Sequence, residues 1–270
     1  MKERSWNIIA KIVNDKYYTS QELAEYCVHK TEEVIGIDNI IEYLEPSAGG
    51  GVFLDYLKQN YRAYDIEPED IRIQKQDFLT LNLPYKKGRC IIGNPPFGDR
   101  KNNLVKKFCN KCITLGDYVS FILPIRQYKN TMTFYEYDLI YSEDLGISSY
   151  SNIPIHCCLN IYKKPRDKLN DKPNYQLKQV KIQEHHRTNN PLLHDFDFRM
   201  CSFGASIGKE CKPNTYCKEL CFTINDNIKN KVINVLKNTD YKKEFPSIST
   251  PYIASWQIYK YIKEQIPEIE

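Results

Sequence analysis

The chain has 270 residues, 41% of them hydrophobic, enough for one full core or for a medium domain with a smaller appendage. No run approaches membrane-spanning length, and the first sixteen residues, MKERSWNIIAKIVNDK, are too broken by charge for a secretory signal, so the expectation is an intracellular protein, cytoplasmic or nucleoid-associated, with no membrane partner. Ten cysteines scattered through a chain of this size are expected to be reduced thiols rather than a disulfide framework, and the net charge of +4 is modest.

The first expected element is a helix. In KYYTSQELAEYCV (16–28), Thr19 is placed as its N-cap with Glu22 at the capping-box position. From residue 39 to about 164, short apolar runs alternate with helix-like segments, the signature of a doubly wound, Rossmann-like α/β sheet. NIIEYLEP (39–46) reads as a strand and GVFLDYLKQN (51–60) as a helix, followed by two short strands, YRAYDI (61–66) and IRIQKQDF (71–78). GRCIIGN (88–94) is a buried strand, NLVKKFCNKCITL (103–115) a helix, DYVSFILP (117–124) another buried strand and CCLNIYKK (157–164) a last one. The polar, proline-punctuated stretch KKPRDKLNDKPNYQLKQVK (163–181) then marks a linker or an exposed excursion, with a boundary near 164. Near the end, STPYIASWQIYKYIKEQI (249–266) predicts an amphipathic helix with Thr250 as N-cap, Pro251 at its first position and Ile258, Ile262 and Ile266 on one face.

Charge is unevenly spread. Residues 1–162 carry 19 Lys and Arg against 21 Asp and Glu, whereas residues 163–270 carry 19 against 13, so a polyanion is expected at the rear portion.

Four strand ends carry chemistry. After Glu45, the run Gly49-Gly50-Gly51 lets the backbone turn tightly and a ligand approach closely, and the helix expected behind it favours electronegative groups. A nucleotide-like cofactor is the expected occupant, although Val52, Phe53 and Leu54 break the G-x-G-x-x-G fingerprint. Asp65, twenty positions after Glu45, is placed to accept hydrogen bonds from both ribose hydroxyls, or else is a solvated loop charge. Asp77 and Phe78 offer an acceptor for an adenine amino group and an aromatic wall beside it. Asn94-Pro95-Pro96-Phe97 ends the fourth strand as a rigid, extended turn, since proline has a fixed φ and no N–H; in an open α/β sheet that edge is where ligands bind.

These four features in order resemble the S-adenosylmethionine-dependent amino-methyltransferases, whose fourth motif is Asp/Asn/Ser-Pro-Pro-Tyr/Phe. The resemblance covers residues 17–97 clearly and 98–164 more loosely. KYYTSQELAEYCV is similar to the segment preceding the glycine motif in gamma-ordered DNA adenine-N6 methyltransferases, with Ser20 where proline is usual. The resemblance implies a class I methyltransferase sheet binding S-adenosylmethionine over 1–164, with Tyr18, Thr19, Glu45, Pro46, Ser47, Gly49, Asp65, Ile66, Asp77, Phe78 and Asn94 around the cofactor. It also implies that the Asn94 side-chain oxygen and the Pro95 carbonyl accept from an adenine 6-amino group, that Pro96 stiffens the turn and that Phe97 stacks on the base. No metal and no covalent intermediate are expected. A base in a duplex must be flipped to reach such a pocket, with a second wall expected between His156 and Tyr162.

Asn94 argues against cytosine as substrate, and a specificity region behind the catalytic motifs argues against the glutamine methyltransferases, whose extra domain lies in front. The expected function is therefore site-specific DNA adenine-N6 methylation of the restriction-modification kind on double-stranded DNA, with residues 165–270 as a basic target-recognition region. RNA adenine methylation, or a non-catalytic nucleic-acid-binding partner subunit, stands as the alternative.

In that rear region, CSFGASIGKE (201–210) falls one residue short of a phosphate loop and has Glu210 in place of the magnesium-binding Ser/Thr, so nucleotide hydrolysis is rejected. Lys209 is read as a phosphate contact or an ordinary surface turn. Cys201, Cys211, Cys217 and Cys221 form no Cys-x-x-Cys pair, and Cys109 and Cys112 lie in an expected helix, so these thiols are read as buried or idle.

Overall fold

The alternation read between residues 39 and 164 folds as one seven-stranded sheet in a computed structural model that describes residues 18–96, 103–150, 153–186, 195–211, 218–246 and 251–270. The chain divides into two compact units, Met1–Pro173 and Asn174–Glu270.

In the first unit, helix α1 (Gln21–Ile35) precedes strands β1 (Glu42–Glu45), β2 (Tyr61–Asp65), β3 (Gln74–Lys75) and β4 (Arg89–Gly93). Helix α2 (Asn103–Ile113) leads to β5 (Tyr118–Pro124), and β6 (Asp138–Tyr150) and β7 (Ile153–Lys163) form a hairpin. The strand order is β3-β2-β1-β4-β5-β7-β6, parallel from β3 to β5 and antiparallel at both contacts of β7. This is the Rossmann-like α/β sheet expected from the sequence.

Side chains alternate across a strand, and β4 shows the result. Cys90 and Ile92 pack in the layer under α1, whereas Ile91 between them packs in the layer under α2. Helix α1 presents Leu23, Ala24, Cys27 and Val28, one helical stripe, to the first layer. Val105, Phe108, Cys109 and Cys112 of α2 fill the second, so these two cysteines are core residues whose thiol pKa values burial pushes up. Both β4 and β5 are buried along their whole length, as central parallel strands covered on two faces must be. A buried hydroxyl pair, Thr31 Oγ1 and Ser120 Oγ at 2.6 Å, ties α1 to β5.

At the amino edge of the sheet, buried Glu42 accepts from Arg89 Nε at 2.7 Å and from Lys86 Nζ at 3.0 Å. Arg89 also donates to the carbonyls of Pro84 and Leu115, so both charges are answered inside the fold.

Several expected elements are corrected. Residues 51–60 form turns closed by Leu54 N to Gly51 O and Tyr56 N to Phe53 O rather than a helix. Adjacent Phe53 and Leu54 are buried in different apolar clusters, which a helix, turning only about 100° per residue, serves poorly. The strand expected over 71–78 shrinks to two residues at the sheet edge, where Ile71 is wholly exposed. Ser20, not Thr19, caps α1: its hydroxyl accepts from Leu23 N at 3.2 Å. Strand β6 was not expected at all.

The second unit is an antiparallel sheet, ordered β8-β10-β9, built from β8 (Val180–His186), β9 (Phe198–Cys201) and β10 (Lys218–Ile224). Helices α3 (Lys229–Asn238), α4 (Tyr241–Glu244) and α5 (Ser255–Gln265) complete it. Ile258, Ile262 and Ile266 are buried together as their spacing predicts, but α5 starts later than expected, with Ala254 as N-cap and Gln257 Oε1 accepting from Ala254 N. Pro251 thus lies before the helix, and Thr250 lies outside the described residues. Buried Glu219 is held by Arg199 at 2.8 Å and His185 at 3.0 Å. No helix among the described residues is long and apolar enough to cross a membrane.

Candidate active site

The strand order reverses between β1 and β4, and in an open α/β sheet the crevice beyond the carboxyl ends at such a reversal is where ligands bind. Glu45 ends β1, and Gly93 followed by Asn94 ends β4, so the glycine loop and the Asn-Pro-Pro turn face each other across that crevice. Ser47 Oγ donates to the Asn94 carbonyl at 3.4 Å and joins the two loops.

The glycine loop is drawn taut from below. Ala48 N donates to Tyr64 O at 3.0 Å, and Glu69 N donates to Gly49 O at 3.0 Å. Gly49 has a φ of 52°, which suits glycine, and a Cβ added at Gly49 or Gly50 would meet nothing within 4 Å. The upper side of the loop is therefore open. At Gly51 the same atom would meet Arg72 and Asp70 at 3.3 Å, because Arg72 is clamped there by Asp70 and Asp55.

Asp65, expected to face ribose hydroxyls, is 7% exposed and holds the loop itself: Oδ2 accepts from Gly49 N and Oδ1 from Glu67 N, both at 2.8 Å. Each carboxylate oxygen has a second acceptor site, so this clasp and a ligand hydroxyl are compatible. Ile66 beside it is 61% exposed, an apolar surface next to the acid.

Glu45 is 1% exposed, and its Oε2 has no hydrogen-bond partner among the described residues. Burial first, and the nearby Asp65 carboxylate second, hold its pKa well above the usual carboxylate range. Gly93 makes this burial possible, since a Cβ there would stand 3.3 Å from Glu45 Cγ.

Asn94 donates from Nδ2 to Thr19 Oγ1 at 3.2 Å, which turns its Oδ1 to the opposite side of the amide. Thr19 can serve because Ser20 has taken over the cap. Tyr18 donates to Glu69 Oε1 at 2.5 Å, tying the segment before α1 to the loop after β2. Pro46 and Pro95 are buried, and Pro96 is half-buried.

Other expected site residues fall elsewhere. Asp77 is exposed and caps the single turn Phe78–Thr80 by accepting from Leu79 N at 2.8 Å. Phe78 is not an aromatic wall: it is 1% exposed and packs on Phe108 of α2 with ring centroids 5.0 Å apart. Tyr162, at the end of the region expected to supply a second wall, is also core and pairs with Val119 near the amino end of β5. His156 at its other end lies beyond the last β5 pairing, Pro124 with Cys157, and bonds Asp144 at 2.5 Å. Phe97 lies outside the described residues. Sequence reasoning missed Gly93 and Glu69 as parts of the site; the only sequence signal for Gly93 was a glycine in the last position of a buried strand.

The residues present fit an adenosyl cofactor. An open glycine loop, an exposed Ile66, an acid at the end of β2 and a buried carboxyl on Glu45 with an oxygen unpartnered among the described residues line the carboxyl ends of β1 and β2.

No known protein family profile matches the chain, and no curated protein does. Among solved structures, it is similar to a proposed RNA methyltransferase from Pyrococcus horikoshii (14% identity, TM-score 0.44, covering 55% of this chain and 87% of that one). It is similar to a proposed class I S-adenosylmethionine-dependent methyltransferase from Listeria monocytogenes (14% identity, TM-score 0.45, covering 60% and 65%). It is also similar to a type I restriction-modification methyltransferase subunit from Streptococcus thermophilus (14% identity, TM-score 0.43), where the match covers 93% of this chain and 59% of that one.

Proposed function

We propose that the chain is an S-adenosylmethionine-dependent methyltransferase that modifies the 6-amino group of adenine in DNA. The observation that carries this reading is the meeting, at the reversal of strand order, of a glycine loop open on its upper side with the turn Asn94-Pro95-Pro96. The cofactor supplies a methyl group on a positively charged sulfonium. The protein supplies position and polarity. Gly49 and Gly50 leave room for the cofactor, Asp65 and Ile66 meet its ribose and base, and Thr19 sets the Asn94 amide. Asn94 Oδ1 and the Pro95 carbonyl then accept from the two amine hydrogens, which localises the nitrogen lone pair and aims it outward.

The test is methyl transfer from isotopically labelled cofactor to duplex DNA and to structured RNA, with the Asn94→Ala variant beside the wild type. Label in the adenine of DNA, lost in Asn94→Ala while calorimetric cofactor affinity stays within about twofold, is the expected result. Label only in RNA would move the substrate, and no label with either, together with no cofactor binding, would overturn the reading.

A further inference from the structure

The second unit exposes two aromatic side chains beside lysines. Phe203 and Tyr252, 44% and 45% exposed, face each other across an isolated antiparallel bridge. Their neighbours Ser202 and Ile253 are buried, and Ile253 N donates to Ser202 O at 3.0 Å, so alternation along the two segments turns both rings outward. Lys218 Nζ lies 5.3 Å from the Phe203 ring centre and 5.8 Å from that of Tyr252. Next to them, a Cβ on Gly204 would meet nothing within 4 Å.

The same loop runs on to a groove. Cys201 N donates to Lys209 O and Gly208 N to Cys201 O, both at 2.8 Å, closing residues 201–209 into a tight excursion. Lys209 lies six positions after Phe203, a reach of at most about 20 Å. Beyond Gly208 opens a cavity of 430 Å³, floored by Phe198 and Tyr241 and rimmed by Lys209, Lys237 and Lys242. Acids are present too: Glu210 pairs with Lys237 at 3.3 Å, and Asp240 caps α4. Lys209, Lys218 and Lys242, by contrast, form no ion pair with any described carboxylate.

Cations without carboxylate partners match a polyanion, and outward-facing rings match the flat faces of unstacked bases. We propose that this surface binds DNA, with backbone phosphates on Lys209 and Lys242 and a base against Phe203 and Tyr252 beside Lys218. The surface stands on its own geometry; that its polynucleotide is DNA rests on the function proposed above.

The test is fluorescence anisotropy of the full chain with a labelled DNA duplex carrying one extrahelical adenine, at several salt concentrations. The Phe203→Ala/Tyr252→Ala double variant is expected to lose about tenfold in affinity with an unchanged salt slope. The Lys209→Ala/Lys242→Ala double variant is expected to flatten the log–log salt slope by roughly two. Thermal melts and cofactor affinity check that both variants remain folded. If the wild type binds DNA and both folded variants match it, the surface proposal is overturned while the catalytic reading stands. If the wild type does not bind DNA, this proposal falls, and the parallel methylation assay on RNA decides whether the substrate reading falls with it.

Discussion

Asn94 Nδ2 reaches Thr19 Oγ1 at 3.2 Å, across 75 positions of sequence. This bond joins the turn after β4 to the segment before α1 and sets the orientation of the one side chain on which the proposed chemistry turns. Removing the acceptor lets the amide rotate. Thr19→Val is therefore expected to lower methyl transfer by roughly tenfold to a hundredfold, the cost of slight misplacement of a reacting group, whereas Thr19→Ser restores it. Single-turnover rates beside calorimetric cofactor affinity check this; a loss confined to affinity would remove Thr19 from the positioning of Asn94.

Asp65 clasps the glycine loop through Gly49 N and Glu67 N. Asp65→Asn replaces one acceptor by a donor, so one of those two N–H groups loses its partner. Charge-assisted bonds of this kind contribute about 1.5–3 kcal/mol, which predicts cofactor affinity weakened by about tenfold to a hundredfold. Amide hydrogen exchange at Gly49 and Glu67 should accelerate in parallel.

Glu45 gives a pH signature. Its pKa in the folded chain is raised above the ordinary 4.5 by burial and by Asp65, so the folded state holds its proton more tightly than the unfolded state. Stability associated with this group is present below the unfolded pKa and is lost as pH rises through the folded one. Glu45→Gln is expected to match the wild type in acid and to exceed its denaturation midpoint progressively towards neutral pH, while binding cofactor more weakly. Denaturant titrations across pH would show no such divergence if the carboxyl were solvated.

Glu42 behaves in the opposite sense. Burial acts to raise its pKa, but hydrogen bonds from Lys86 and Arg89 bring it below the ordinary 4.5. Its stabilisation is present above the unfolded pKa and is lost as pH falls through the folded one. Glu42→Gln leaves buried Arg89 without its anion, a loss of about 3–5 kcal/mol, and should erase this acid-side dependence. A thermal melt series in pH reads both effects.

Gly93 has a φ of 148° and lies against Glu45. Gly93→Ala combines a backbone conformation that L residues seldom adopt with a crowded Cβ, at a cost of about 1–3 kcal/mol. The denaturation midpoint should fall and cofactor affinity with it; an unaltered midpoint would show that the close approach is not required.

Individual elements were legible where a side-chain pattern and a stop signal coincided. β4 shows itself as an apolar run ended by Asn94-Pro95-Pro96, and α5 as isoleucines four residues apart. β6 did not, because irregularities between Leu139 and Tyr141 and between Asp144 and Gly146 break the two-residue alternation that marks a strand. Thr19 and Ser20 are equally good caps on paper; only the extended backbone at Ser20, with φ −73° and ψ 160°, selects one and releases the other. Phe78 was misjudged because a phenylalanine beside an acid has the same sequence signature whether it lines a site or packs on Phe108.

The sequence by itself determined the local chemistry: which residues are apolar, where glycine and proline allow or forbid a turn, and which strand ends carry acids and amides. The tertiary structure alone decided the neighbours. Strand order, the burial of Glu45 against Gly93, the bond from Asn94 to Thr19 and the pairing of Phe203 with Tyr252 all join positions far apart in the chain. Backbone pairing is nearly blind to side-chain identity, so such neighbours are set by how connections and packed layers close around a core, and not by any pattern within one segment.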